Sequence, residues 1–104
     1  MGSDSPRMTG PTLKVLAQLI TAARGGVSGA EITRSAKIPS GTLYPILFRL
    51  ERAGWIESEW EDGDPSEMGR PRKRLYRLTS HGAQRARGAF EDLIPEGGVL
   101  VWQS

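Results

Sequence analysis

Between Ser40 and Trp60 the chain changes its hydrophobic period across a single glycine. Leu43, Ile46, Leu47 and Leu50 recur at i, i+3, i+4 and i+7, the stripe of a helix with one buried face. Gly54 follows, a residue suited to the left-handed conformation that ends helices. Beyond it Ile56, Ser58 and Trp60 alternate with Glu57, Glu59 and Glu61, the period of a half-buried strand that turns the first three inward. A helix running straight into a strand must share one small core with it, which leaves the helix's second face outside.

That second face carries Ser40, Thr42, Tyr44, Pro45, Arg49 and Arg52. Pro45 has no backbone N–H and is comfortable only in a first turn. The regular helix therefore begins nearer Thr42, with Thr42 as its cap, or its first turn is distorted.

Charge is segregated along the next stretch. From Glu57 to Glu67 every charged residue is acidic, and from Arg70 to Arg87 every one is basic. Arg74, Tyr76 and Leu78 alternate as a return strand, so cross-strand ion pairs would neutralise part of each block. Arg70, Arg72, Lys73 and Arg74 cluster where that strand begins, in excess of what Glu67 can offset, as a phosphate backbone requires. Arg77, deeper in the strand, reads as structural. The intervening loop, residues 62–69, is polar and too long for a tight turn, so a mobile tip is expected.

The flanking segments are helical. Leu13, Leu16, Ala17, Ile20 and Ala23 give a core stripe to a helix from Thr12 to Arg24, ended by Gly25 and Gly26. Val15 and Leu19 form a second stripe, either extra core or a subunit contact. Ser28 and Glu31 have the spacing of a capping box, opening a short helix that Lys37-Ile38-Pro39 ends. Thr79 caps a last helix, whose apolar face is Ala83, Ala86, Phe90 and Leu93. Residues 1–11 read as a disordered lead-in, residues 12–94 as one domain, and residues 95–104 as a tail with an apolar run, Val99 to Trp102.

The result is mainly α with a two-stranded β wing: a winged helix-turn-helix. In that fold the helix before the hairpin normally enters the major groove of DNA. Composition limits the alternatives. The chain has 104 residues, 38% hydrophobic and 25% charged, with a formal net charge of only +2, so charge distribution matters more than its sum. There is no cysteine and one histidine, His81, just past a helix cap, where a capping or phosphate role is economical. Neither a transition-metal site nor an enzyme is expected, and no cofactor is implied. No apolar run is long enough to span a bilayer, and the first residues lack a secretory core, so a cytoplasmic protein is expected.

Gly29-Ala-Glu-Ile32, Gly41-Thr-Leu-Tyr-Pro45, Arg49-Leu-Glu51, Gly54-Trp-Ile56, Gly69-Arg-Pro-Arg72 and Tyr76-Arg-Leu-Thr79 together resemble the PadR family of bacterial transcriptional regulators, over roughly residues 12–94. The resemblance implies a homodimer binding a near-palindromic operator in double-stranded DNA, most often as a repressor. The family usually has an aromatic residue where Ala30 stands, and many members add a long C-terminal helical domain; this chain resembles the small subgroup. Carried over, Ser40, Thr42, Tyr44, Pro45 and Arg49 would meet bases or phosphates, and Arg70, Arg72, Lys73 and Arg74 would hold phosphates or the minor groove. Val15, Leu19, Phe90 and Leu93 are the candidate dimer contacts, with the tail around Trp102 as a clasp and room for an unidentified small-molecule effector between subunits. The rival expectation is a winged helix used only for protein–protein assembly, which Trp55 and Trp60 would serve.

Overall fold

The computed structural model describes residues 6–92. Thr9 caps helix α1 (Gly10–Thr21), its side-chain oxygen accepting from the Thr12 backbone N–H. Pro11 falls in the first turn, where a missing N–H is harmless. The helix thus starts before Thr12, inside the segment whose composition suggests disorder. It stops at Thr21, ahead of the glycine pair, because Ala22 is already extended.

Both apolar stripes of α1 contribute to the core: Leu13 and Leu16 of the expected one are buried, but its Ile20 is not, and the second stripe takes the extra-core alternative. Val15 and Leu19 are 0% and 4% exposed, whereas Ile20 is 46% exposed. The helix packs between α2 and α3 on one side and β3 and α5 on the other, and this encloses the Val15, Leu16 and Leu19 stripe. Val15 and Leu19 are therefore core residues of the monomer, with no surface left for a second subunit.

A two-residue strand, β1 (Val27–Ser28), leads into α2 (Gly29–Ala36). The capping box forms as expected: the Glu31 N–H donates to the Ser28 hydroxyl, and the Ser28 N–H donates to the Glu31 carboxylate. Those two Ser28 donors, backbone first and hydroxyl second, hold the Glu31 carboxyl below the usual range. Lys37, at φ 57°, turns the chain out of α2 and into α3 (Ser40–Arg52). Leu43, Ile46, Leu47 and Leu50 of α3 are all buried, as their spacing requires.

Gly54, at φ +80°, releases the chain into β2 (Ile56–Trp60), which pairs antiparallel with β3 (Arg74–Leu78). β1 pairs with the other edge of β3, so the sheet has three strands in the order β1-β3-β2 rather than two. A two-residue strand is too short for its alternation to show in sequence. Between β2 and β3, in place of the irregular loop its composition suggests, lies one helical turn, α4 (Pro65–Met68), capped by Asp64 and closed by Gly69 at φ 73°.

Thr79 caps α5 (Ser80–Glu91) as expected and also ties it down. Its hydroxyl lies within hydrogen-bonding distance of the carbonyls of Gly54 and Trp55, at 2.7 and 3.1 Å, and accepts from the Gly82 N–H. Gly82 sits so close to the Trp55 carbonyl that a Cβ there would collide with it. This close approach fixes the last helix against the corner between α3 and β2.

Candidate nucleic-acid interface

α3 begins at Ser40, not Thr42, and carries Pro45 inside it. With no N–H at Pro45, the Gly41 carbonyl loses its helical donor, a loss that water can relieve because both residues are exposed. The N-cap is Pro39, which offers no side-chain bond, so the first-turn amides of Ser40 and Gly41, at the positive end of the helix dipole, have no partner among the described residues. Ser40, Thr42, Tyr44, Pro45, Arg49 and Arg52 are all exposed. Phe48 joins them at 63% exposed, the most exposed large hydrophobic residue among those described. Its position opposite the buried stripe is readable from the helical period alone; its apolar character is what disguised it.

Tyr44 leans away from the centre of this face. Its ring and hydroxyl cover Gly29, where a Cβ would come within 2.8–2.9 Å of ring carbons. A cleft of about 400 Å³ opens beside it, between the start of α2, α3 and the hairpin, with Trp60, Arg72, Lys73 and Tyr76 on its other walls. Burial, and then the neighbouring Tyr44, push the Tyr76 phenol above its usual pKa, so it stays neutral.

The four wing cations are not equivalent. Arg70 forms a two-pronged pair with Glu61, at 2.7 and 3.0 Å. Glu61 also accepts the Lys73 backbone N–H at 3.0 Å, and these two donors, Arg70 first, draw its carboxyl down to about 2. The acid that offsets the cluster is thus Glu61, across the hairpin, rather than Glu67. Arg72 donates Nε to the Gly63 carbonyl at 2.8 Å. Arg74 is half-buried, donating Nε to the Ser58 hydroxyl while its guanidinium lies 5.1 Å from the Trp60 ring centroid. The Lys73 side chain is exposed at the cleft wall and has no ion pair among the described residues. Arg77 is structural, paired with Glu57 at 3.0 Å and Glu59 at 3.2 Å.

Trp60 is 57% exposed rather than inward: cover along the inward side of β2 falls from buried Ile56 through half-buried Ser58 to Trp60 at the far end. Trp55, by contrast, is buried. His81 is exposed in the first turn of α5, whose cap is Thr79. Of the candidate dimer residues outside the core, Phe90 is half-buried and borders, with Ile20, Leu78 and Ala83, an apolar groove of about 480 Å³. Leu93 and the tail around Trp102 lie outside the described residues. Among the described residues no helix is long and apolar enough to cross a membrane.

Residues 27–88 match the family model described as the transcriptional regulator PadR-like family. No curated protein matches the chain significantly. Among solved structures, a PadR family transcriptional regulator from Eggerthella lenta is 34% identical, with a TM-score of 0.60 over 78% of this chain and 69% of that one. A transcriptional regulator from Clostridium thermocellum is 26% identical, with a TM-score of 0.63 over 79% and 78%. A mutant MarR from E. coli complexed with operator DNA shares the fold, with a TM-score of 0.64 at 24% identity over 81% and 54%. The blocks read from sequence, the winged fold and the family match agree: the chain belongs to the PadR-like family of transcriptional regulators.

Proposed function

We propose that this regulator binds a near-palindromic operator as a homodimer and represses transcription, with α3 in the major groove and the wing on the adjoining backbone or minor groove. The observation that carries the reading is the cleft between α3 and the hairpin. When a helix occupies the major groove and a wing the neighbouring minor groove, the strand dividing the two grooves passes between them. Here that passage is walled by Lys73 and Arg72 on one side and by the Tyr44 hydroxyl on the other. Mutant MarR, which shares the fold, is complexed with operator DNA, which supports duplex DNA as the partner.

One winged helix reads few base pairs, so two copies are needed, placed about one helical turn (roughly 34 Å) apart. The groove beside Ile20 and Phe90 is our proposed dimer face, in place of Val15 and Leu19. An effector held between the subunits would act by changing the spacing of the two recognition helices.

The test is fluorescence anisotropy of the duplex upstream of the protein's own gene, titrated at several salt concentrations beside a scrambled duplex. Tight binding that weakens steeply with salt and prefers the native duplex is expected. Exposed Phe48 and Trp60 favour one rival, a winged helix that docks on a protein. Absence of binding to either duplex at low salt would turn the assignment to that rival.

A further inference from the structure

Phe48 has no role in the core and no place in the charge-based picture of the site. Counting 100° per residue, the buried stripe of α3 is centred opposite Gly41, Pro45, Phe48 and Arg52. Phe48 therefore stands near the crown of the outer face, 63% exposed. Gly41, two turns earlier on the same line, has no atom of the described residues within 4 Å of an added Cβ, so this outer face is open at its N-terminal end. An exposed phenylalanine gains nothing from water, and the major groove presents base edges that are polar but for one group. That group is the C5-methyl of thymine.

We infer that Phe48 is a specificity-determining residue that packs against a thymine methyl in each half-site. This rests on the proposed docking of α3 in the major groove. The ring supplies apolar contact without a hydrogen bond, so it favours thymine over cytosine through the methyl group alone. Tyr44 and Arg49, on either flank, are left for phosphates and polar base edges.

The probe is a duplex enriched by the wild-type protein from a randomised pool, then resynthesised with each thymine replaced in turn by deoxyuridine, which removes only the methyl. For the wild type, one position per half-site is expected to lose about fourfold in affinity, the equivalent of one buried methyl-sized group. Phe48→Ala should bind more weakly and lose that penalty, whereas Phe48→Leu, still apolar, should keep most of it. Because the side chain is exposed, neither substitution should unfold the protein, which a thermal melt checks. If no uracil position weakens wild-type binding, or Phe48→Ala pays the same penalty, the assignment of Phe48 falls while operator binding stands. If no duplex is enriched over the pool, both fall together.

Discussion

Ser58, in the middle of β2, donates its hydroxyl hydrogen to the Glu51 carboxylate of α3 at 2.8 Å. The same oxygen accepts from Arg74 Nε of β3 at 3.1 Å, and Arg74 in turn lies against Trp60. Four side chains thus link α3 to the hairpin through one hydroxyl. Arg49 and Arg52, the nearest basic residues in sequence, form no ion pair with Glu51 among the described residues.

Because this link is near the surface, it should matter more for the angle between helix and wing than for folding. Ser58→Ala is expected to leave the thermal midpoint almost unchanged. It should weaken specific duplex binding, because the hydroxyl no longer sets the angle between α3 and the hairpin. Parallel melting and anisotropy measurements check this; a large loss of stability with intact binding would contradict it.

The wing cations should separate by pairing. Lys73→Ala is expected to reduce the slope of log affinity against log salt by about 0.9, one released counterion. Arg70→Ala should leave that slope nearly unchanged, because Glu61 already neutralises Arg70. Equal slopes for the two variants would show that the Arg70–Glu61 pair opens on DNA.

Glu61 gives the wing a dependence on acid. Its carboxyl titrates near 2 in the folded protein against an ordinary 4.5. A depressed folded value means that its contribution is present above about pH 4.5 and is lost as pH falls toward 2. The pair is solvent-exposed, so the effect on global stability is small and the local one is the readout. A carboxyl NMR titration should show a low midpoint for Glu61 that moves toward the ordinary range in Arg70→Ala.

Two glycines of α5 should respond oppositely to alanine. Gly82→Ala drives a Cβ into the Trp55 carbonyl and should destabilise the protein by about 1–3 kcal/mol or more. At Gly88 nothing lies within 4 Å of an added Cβ, and alanine there should stabilise by about 0.5–1 kcal/mol. Chemical denaturation of the two variants checks both signs.

The local code of this protein was readable from its sequence: the α3 stripe, the Ser28–Glu31 capping box, the Gly54 exit and the Thr79 cap each depend on residues a few positions apart. So was the pairing of the acidic and basic strands, whereas the register that sets Glu57 opposite Arg77 came from the fold. Even Phe48 lay open to the same counting.

What tertiary structure alone decided was which of two plausible faces is covered. α1 offers two apolar stripes, and only the arrangement of α2, α3, β3 and α5 around it selects Val15 and Leu19 for the core and leaves Ile20 outside. β1 exists because β3 has a free edge for two residues to join, and Trp60 is exposed because cover along β2 falls away toward its far end. Which wing cations remain unpaired was likewise set across the hairpin, where Glu61 meets Arg70 nine residues away. Local sequence fixes periods and caps because their energies are short-ranged; burial and charge pairing depend on what the rest of the chain brings alongside.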